Sequence, residues 1–343
     1  MLIAGLLTTA LSAFAAYAVT ALIRRHAETL GLVATPNARS SHTVPTPSGG
    51  GVGIVAGGVV GSLLVLASEP WPGGLLLAAA LLIAAIGFID DRRPLPAIAR
   101  LGAQVLLVGV VAAFALPEGG LAAQLRLPLP PMLVTGVAVL AAVYWINLFN
   151  FMDGIDGLAA SQAIYMLLTA ALLALLRTEV AAADPVFWWL PTLAAACAGF
   201  LLMNWPPARI FMGDAGSTYL GFLIAVLALT TVSLGWLTLW QWLILAALFA
   251  VDATVTLCRR LLLGERVFEA HRRHAYQRLA RRWHSHRRVT LAAIGVNVLW
   301  LLPLALLAGW YADFSPVIAL VAYLPLVALA LGAGAGAPEP RTG

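Results

Sequence analysis

The stretch NLFNFMDGIDGLAA, residues 147–160, separates two long apolar segments near 131–149 and 158–176. It carries a polar side chain at every third position: Asn147, Asn150, Asp153 and Asp156. An uninterrupted helix would spread these four groups over half of its circumference, because each step of three residues falls about 60° short of a full turn. Gly154 and Gly157 permit a break in the helix. We therefore predict a broken helix end that turns the polar groups toward one point.

The composition of the whole chain is typical of an integral membrane protein. Of its 343 residues, 62% are hydrophobic and only 10% are charged. A helix of about 17 to 25 apolar residues crosses the hydrocarbon core, and we predict an all-α integral membrane protein with about eleven such helices. Only Gly235 and Trp236 mark the boundary between the eighth helix and the ninth. The predicted helices lie near residues 2–23, 50–68, 73–89, 98–116, 131–149, 158–176, 186–204, 217–235, 236–257, 289–309 and 315–334.

The distribution of arginine predicts how the chain crosses the membrane, because basic residues concentrate in cytoplasmic loops. The chain has 20 basic residues, and all of them are arginine. The first apolar segment has Arg24 and Arg25 after it rather than before it, which favours a retained helix over a cleaved signal peptide. With the N-terminus outside and the C-terminus in the cytoplasm, only Arg126 and Arg177 lie outside. The net charge of +5 is then expected to face anionic lipid headgroups, with no nucleic acid as partner.

The chain shows no internal repeat and no soluble segment, so residues 1–343 are predicted to form one polytopic domain. The spacing of Gly53, Gly57 and Gly61 predicts close helix packing within the membrane. Most of the unusual polar sequence falls in five loops on the predicted cytoplasmic side, which is where we expect an active site. These loops are 24–49, 90–97, 150–157, 205–216 and the basic, histidine-containing loop 258–288.

Aspartates at predicted helix ends allow more than one interpretation. In GFIDDRRPLPAIAR, Asp90 and Asp91 end a helix as two adjacent carboxylates. They fit a solvated loop in which they pair with Arg92 and Arg93, or a base or metal-directed acid whose pKa is set by its charged neighbour. Asp252, inside the ninth predicted helix, either pairs with an arginine near the inner surface or contacts substrate. Both alternatives stay open in each case.

The stretch MNWPPARIFMGDAGSTYLGF adds a third acidic site at the start of a helix. Asp214 lies between glycines, and the helix amides that follow it, together with Arg209, favour an anion. The carboxylate and amide oxygens of this loop and of 147–160 are predicted to gather at one depth. Such hard oxygen ligands suit Mg²⁺ shared with substrate phosphates.

The loop LCRRLLLGERVFEAHRRHAYQRLARRWHSHRR holds most of the positive charge. His271 and His274 would lie on one side of a short helix and, with Arg272, would hold a diphosphate or a sugar nucleotide through charge-assisted hydrogen bonds. A zinc site is disfavoured, because no cysteine and no third well-spaced ligand stands nearby. Membrane anchoring explains four further arginines of this loop, Arg281, Arg282, Arg287 and Arg288.

These loops resemble those of the polyprenyl-phosphate N-acetylhexosamine-1-phosphate transferases, the superfamily of phospho-MurNAc-pentapeptide translocase. IDD, NLFNFMDGIDGLAA and RIFMGDAGS occur in the order of that family, and the resemblance runs from NARSSHTVPTPSGGG to FEAHRRHAYQRL. It implies transfer of an N-acetylhexosamine 1-phosphate from a UDP-sugar to undecaprenyl phosphate, with release of UMP and a requirement for Mg²⁺ or Mn²⁺. It also implies a multi-pass protein of the bacterial inner membrane whose active site faces the cytoplasm.

The resemblance also implies roles for individual residues. Asp214 matches the metal ligand of the family and Asn150 a second ligand. The catalytic acids would be Asp90, Asp91, Asp153 and Asp156. The residues expected to bind substrate are Asn147, Asn204, Arg209, His271, Arg272 and His274. The loop HRRHAYQRL resembles the branch that starts O-antigen synthesis with N-acetylfucosamine or N-acetylquinovosamine donors.

Two other classes of protein share some of these features. A secondary transporter also has membrane-depth aspartates and broken helices, but this chain shows no repeated halves and its acids lie near helix ends. A CDP-alcohol phosphotransferase needs a longer aspartate motif, which is absent after Asp153. The expected partners are therefore undecaprenyl phosphate, a UDP-N-acetyl sugar and membrane lipids, with a homodimer as an open option.

Overall fold

A computed structural model describes residues 1–35, 44–116, 121–122, 129–265 and 271–338. Within these residues, eleven helices are long and apolar enough to cross a membrane, by length and composition. The prediction of an all-α, multi-pass membrane protein is thus confirmed. Residues 36–43 of the first predicted loop, which include the start of NARSSHTVPTPSGGG, lie outside the described residues.

Most membrane-spanning segments are single helices. Eight of them occupy the first part of the chain: α1 (Leu2–Arg25), α2 (Gly51–Ser68), α3 (Pro70–Arg92), α4 (Ala97–Phe114), α5 (Pro131–Phe151), α6 (Leu158–Arg177), α7 (Pro185–Asn204) and α8 (Asp214–Ser233). The remaining helices are α9 (Leu239–Leu262), the short α10 (Ala275–Trp283), α11 (His286–Val296), α12 (Leu302–Trp310) and α13 (Ser315–Gly332). A π-helical turn at Asn297–Leu301 joins α11 and α12 into one span. Two short antiparallel strands, β1 (Val33–Ala34) and β2 (Thr46–Pro47), lie between α1 and α2.

The boundary between the eighth and ninth predicted helices falls where Gly235 and Trp236 placed it. α8 ends at Ser233, and α9 begins after Thr238. The Thr238 side chain accepts a hydrogen bond from the backbone N–H of Gln241 at 3.1 Å, which caps the new helix. A threonine–glutamine capping box was thus the local signal for the start of α9.

Among the helix ends that differ from the sequence prediction, two lie beside the predicted acids. α3 continues past its predicted end at residue 89, so Asp90 and Asp91 lie in its last turn. α8 begins at Asp214 rather than at residue 217. The carboxylate of Asp91 accepts hydrogen bonds from the first amides of α8, which stabilises this earlier start.

α8 lies at the centre of the bundle, and 83% of its apolar stretch is buried inside the protein. Small residues let neighbouring backbones approach each other closely, as predicted from the glycine spacing in α2. A Cβ added to Gly57 would lie 2.7 Å from the carbonyl oxygen of Ser12 in α1. A Cβ added to Gly51 would lie 2.3 Å from the Cα of Gly216 in α8. These contacts bring the start of α8 against the start of α2.

The short helix α10 lies between the ninth and tenth spans and was not predicted as a separate element. Its first amides, of Ala275 and Tyr276, donate to the carboxylate of Asp252 in α9 at 2.8 and 2.9 Å. Asp252 therefore caps α10 from another helix. Among the described residues, no arginine forms an ion pair with Asp252, whose carboxylate accepts from the start of α10. The predicted alternative of a substrate contact stays untested.

Candidate active site

One end of the helix bundle contains a cavity of about 280 Å³. It is formed where α5 ends, α6 begins, α7 ends and α8 begins. This acidic cavity is lined by Ser48, Asn150, Asp153, Gly154, Ile155, Asp156, Asn204, Phe211, Met212, Gly213, Asp214, Gln277 and His286. The structure thus brings together residues of the two polar stretches that the sequence placed in separate loops.

Asn150 and Asp214 are in direct contact at the centre of this lining. The Nδ2 of Asn150 donates to the Oδ1 of Asp214 at 2.9 Å and to the hydroxyl of Ser217 at 2.8 Å. The Oδ1 of Asn150 accepts no hydrogen bond from the described residues. Asn150 therefore contacts the Asp214 carboxylate through its amide nitrogen and keeps its carbonyl oxygen available to a cation.

Arg100 in α4 was not among the predicted site residues, yet it joins two of the acids. Its guanidinium forms an ion pair with the Oδ2 of Asp90 and lies 3.6 Å from the Oδ2 of Asp214. The other oxygen of Asp90 accepts a hydrogen bond from the backbone N–H of Leu95 at 2.6 Å. The only signal in the sequence was a single charge in the first turn of an apolar helix.

The adjacent acids of α3 have different partners. The two carboxylate oxygens of Asp91 accept from the backbone N–H groups of Asp214 and Ala215, at 2.8 and 3.2 Å. Gly213 has a φ of 77°, and a Cβ there would lie 2.7 Å from the Asp91 carboxylate. Glycine is needed at this position because its φ is positive and because a side chain would clash with Asp91. Asp91 therefore holds the start of α8 in place, while Asp90 pairs with Arg100.

Asp153 lies in the turn between α5 and α6 and has acidic neighbours. Burial raises the pKa of its carboxyl group well above the usual range, and the nearby Asp214, Asp91 and Asp156 raise it further. The neutral form is therefore favoured as long as no cation shares the cavity. A bound cation would reverse this preference.

Asp156 is held by three parts of the chain. Its Oδ1 lies 3.1 Å from the Nδ1 of His286, at the start of α11. Its Oδ2 accepts from the backbone N–H of Ala208 at 3.0 Å. Its backbone carbonyl accepts from the Thr290 hydroxyl at 2.9 Å. His286 was seen in the sequence only as one of several histidines in a basic loop, with nothing to indicate this pairing.

The two remaining predicted asparagines make structural hydrogen bonds. Asn204 is 4% exposed, accepts from the backbone N–H of Gly157 and donates to the carbonyl oxygen of Ile210, both at 2.9 Å. It ties the 153–157 turn to the loop after α7. Asn147 donates to the Oε1 of Gln104 at 2.6 Å and lies outside the lining of the acidic cavity. Roles for both in substrate binding stay predictions.

The predicted histidine cluster packs against α9 rather than into the acidic cavity. His274 is 2% exposed, and its Nδ1 lies 3.2 Å from the Oδ1 of Asp252. The His271 ring stacks on it, with ring centroids 4.9 Å apart. Burial, the neighbouring His274 and nearby arginines lower the pKa of His271 to about 3, so this ring is neutral at pH 7. This geometry does not favour a direct substrate contact for His274, whose predicted role stays untested.

α10 nevertheless connects the basic loop to the acidic cavity. The Tyr276 hydroxyl donates to the carbonyl oxygen of Phe151 at 2.9 Å, and Gln277 lines the cavity. The carbonyl oxygen of Arg272 accepts from the Arg281 guanidinium at 3.0 Å. Arg209 is exposed at the same end of the bundle. These arginines carry positive charge near an acidic site without lining it.

The chain is similar in sequence to several known proteins. Residues 74–232 match the family described as glycosyl transferase family 4. The decaprenyl-phosphate N-acetylglucosaminephosphotransferase of Mycobacterium tuberculosis is 30% identical over 318 residues, which cover 82% of this chain and 76% of that protein. The phospho-N-acetylmuramoyl-pentapeptide-transferase of Moorella thermoacetica is 35% identical over 208 residues, covering 54% of this chain and 61% of that protein.

The fold and the site define a multi-pass membrane protein with a cluster of acids where its helices end. The chain belongs to glycosyl transferase family 4. This confirms the resemblance to the polyprenyl-phosphate sugar-1-phosphate transferases that the sequence motifs indicated. It supports the interpretation as a transferase over that as a secondary transporter.

Proposed function

We propose that this protein transfers an N-acetylhexosamine 1-phosphate from a UDP-sugar to undecaprenyl phosphate and releases UMP. The names of the two relatives support transfer of a phosphosugar, one of them to a decaprenyl phosphate. The observation that carries the proposal is the meeting of Asp214, Asn150, Asp153 and Asp156 in one cavity at the helix ends. A lipid phosphate anchored in the bilayer reaches such a position without leaving the membrane.

The contacts of the acids favour direct attack by the lipid phosphate over a covalent aspartyl intermediate. In the direct reaction an oxygen of the lipid phosphate bonds to the β-phosphorus of the donor, and the bond from that phosphorus to UMP breaks. Asp91 uses both carboxylate oxygens as a helix cap, and Asp90 is paired with Arg100. Positioning and charge neutralisation are the main tasks in such a transfer.

The donor set of the acidic cavity fits a divalent cation that is shared with substrate. Among the described residues, no three His, Cys, Asp or Glu side chains are grouped to hold a metal ion by themselves. Mg²⁺ commonly takes one or two carboxylates, with waters and substrate phosphates as its other ligands. Asp214 and the free Oδ1 of Asn150 would hold Mg²⁺, or Mn²⁺ in its place. The ion would neutralise phosphate charge.

The test is turnover by the purified protein with undecaprenyl phosphate and a panel of UDP-N-acetylhexosamines. We expect UMP release with Mg²⁺ or Mn²⁺ and none in EDTA. Asp214→Asn should lower turnover by about a thousandfold or more, because several kcal/mol of charge stabilisation would be lost. Near-normal turnover of that variant would remove the metal assignment, and no turnover of any donor by the wild type would refute the function.

The same panel tests the identity of the sugar. The loop HRRHAYQRL favours an N-acetylfucosamine or N-acetylquinovosamine donor and a role in starting O-antigen or another envelope polysaccharide. The relatives are named for N-acetylglucosamine and for phospho-N-acetylmuramoyl-pentapeptide. Preference for UDP-N-acetylglucosamine over the deoxy sugars would contradict the proposed branch while leaving the reaction class intact.

We further propose that the acidic cavity faces the cytoplasm of a bacterial inner membrane, because the arginines concentrate on that side in the predicted topology. The test uses single cysteines in a Cys258→Ser background, since Cys197 is buried. Arg209→Cys, near the cavity, should react with a membrane-impermeant maleimide only in inside-out vesicles. Asp313→Cys, which lies exposed just before α13, should react only from outside. The reverse pattern would contradict the topology.

A further inference from the structure

His286 is a residue of the acidic cavity to which the proposed reaction has so far given no task. It is the first residue of α11, and its side chain is 20% exposed. Among the described residues that line the cavity, it is the only one with a basic side chain. The other ionisable groups of the lining are the carboxyl groups of Asp153, Asp156 and Asp214.

The orientation of the His286 ring is set by groups outside the substrate space. Its Nδ1 lies 3.1 Å from the Oδ1 of Asp156. That carboxylate is held in turn by the backbone N–H of Ala208, at 3.0 Å. The Thr290 hydroxyl, one turn along α11, donates to the Asp156 carbonyl oxygen at 2.9 Å. The ring and the turn that holds it are therefore fixed to each other at two points.

The other ring nitrogen, Nε2, makes no such contact. The Nε2 of His286 has no hydrogen-bond partner among the described residues. The Nδ1 also accepts a hydrogen bond from the backbone N–H of Asp156 at 3.5 Å. A histidine held at Nδ1 in this way presents its other nitrogen to a ligand, because these contacts set the ring orientation. The unpartnered atom here belongs to a ring that lines the cavity.

We propose that His286 is a further substrate-binding residue, whose Nε2 donates a hydrogen bond to a phosphate oxygen of the sugar nucleotide in the acidic cavity. Asp156 is then a positioning residue that acts through His286. This inference rests on the proposed function, since it assumes that a diphosphate enters the cavity. It assigns to Asp156 a task other than that of a free catalytic acid.

The negative charge of the acidic cavity explains why a hydrogen-bond donor is useful there. A diphosphate that enters a lining of three carboxyl groups meets like charges on most sides, and a shared cation neutralises only part of them. With Nδ1 occupied by contacts to Asp156, Nε2 is the ring nitrogen left to contact the phosphate. A charge-assisted hydrogen bond to phosphate is about twice as strong as a neutral one.

The bond changes of the reaction explain why a hydrogen bond from Nε2 would stabilise the transition state. When the bond between the β-phosphorus and UMP breaks, its electron pair stays on the bridging oxygen, which becomes a terminal phosphate oxygen of UMP. No proton has to be transferred. A hydrogen-bond donor directed at the phosphate that gains this charge lowers the barrier.

Two amide substitutions separate this role from a purely structural one. In His286→Asn the amide nitrogen lies near the position of Nδ1, so the contact with Asp156 is kept and the Nε2 donor is lost. In His286→Gln the amide nitrogen reaches toward the position of Nε2 and the contact with Asp156 is weakened. We expect the Asn variant to lose about 100-fold or more in kcat, the usual cost of one such donor, and the Gln variant to lose clearly less.

The opposite order, with Asn more active than Gln, would show that only the contact with Asp156 matters and would overturn the proposal. Equal activities of the two variants would overturn it as well. His284→Asn and His284→Gln are matched controls, since His284 is exposed two residues away; both should retain wild-type turnover.

The wild type is assayed first, so that its failure to turn over any UDP-sugar counts against the proposed function and not against His286. Thermal unfolding of each variant in detergent shows whether it is folded at the assay temperature. For a variant of lower stability, the affinity for UMP is measured below its unfolding transition, where the Asn variant should again bind more weakly than the Gln variant. Equal or reversed affinities would overturn the proposal.

Discussion

At the scale of single residues, the aspartates near the acidic cavity differ in what their oxygens contact. Asp91 accepts two backbone hydrogen bonds, Asp90 pairs with a guanidinium, and Asp156 contacts an imidazole. Asp153 has only acidic groups as charged neighbours among the causes of its raised pKa. Burial first, and then neighbouring acids, therefore raise the pKa of Asp153.

The raised pKa of Asp153 leads to a test of pH dependence. A carboxyl group whose pKa is higher in the folded state destabilises the fold as the pH rises above its unfolded pKa, near 4. Asp153→Asn resembles the neutral form and removes this cost. Without divalent cations, we expect the variant to unfold at a higher temperature than wild type at pH 8, with a smaller difference at pH 5.

Thermal unfolding in detergent at the two pH values measures this difference. Enzyme assays of both proteins after addition of Mg²⁺ show whether catalysis needs the carboxylate. We expect turnover to fall sharply although the fold is retained. A variant less stable than wild type at pH 8 would show that the carboxylate is ionised and useful to the fold.

At the scale of elements, two helices begin on a carboxylate that belongs to another helix. Asp91 of α3 caps α8, and Asp252 of α9 caps α10. A cap from a distant residue satisfies the free amides of a helix start and also fixes that start relative to another span. Both helices that begin in this way carry residues of the acidic cavity, Asp214 and Gln277.

Loss of the α10 cap should be visible in stability and in substrate binding. Asp252→Ala leaves the amides of Ala275 and Tyr276, and the ring of His274, without their acceptor. We expect a destabilisation of about 1 to 3 kcal/mol, the cost of leaving buried donors unsatisfied. KM for the UDP-sugar should rise more than kcat falls, because α10 carries Gln277 into the cavity lining.

Thermal unfolding and limited proteolysis within the 258–288 loop measure the effect of Asp252→Ala. Asp313→Ala, at an exposed position just before α13, is the control and should behave like wild type. An unfolding temperature unchanged in Asp252→Ala would contradict the capping role.

At the scale of the whole molecule, close backbone contacts set the place of α8 among its neighbours. The Cα atoms of Gly51 and Gly216 leave no room for a side chain at either position. Packing of small residues is a principal source of helix association in a membrane, because lipid is as apolar as the helices. The location of Asp214 therefore depends on glycines in α2 as well as on its own loop.

This dependence predicts opposite results for two glycine substitutions. Gly51→Ala places a Cβ 2.3 Å from the Cα of Gly216, so backbone must shift, and we expect a loss of about 1 to 3 kcal/mol together with reduced activity. Gly109→Ala in α4 meets nothing within 4 Å and should leave stability equal or slightly higher. Unfolding temperatures in detergent compare the two, and equal values would contradict the packing argument.

The membrane-spanning helices were predictable because the hydropathy and length of each segment can be read from its own sequence. The membrane core admits only helices that satisfy their own backbone hydrogen bonds, so an apolar run of sufficient length has one structure open to it. The clustering of Asn150, Asp153 and Asp156 followed from the cost of placing acids near hydrocarbon and from the glycines that interrupt the helix. Arg100 and His286 were missed because their partners are distant in sequence, with no pattern that links them.

The sequence by itself determined that this protein is an α-helical membrane protein with polar helix ends, and its motifs pointed to the family. Tertiary structure alone decided which acid caps a helix, which pairs with Arg100 and which holds His286. The physical reason is that hydropathy is a property of each segment, whereas a carboxylate takes its role from the donors that the folded chain brings within about 3 Å of it.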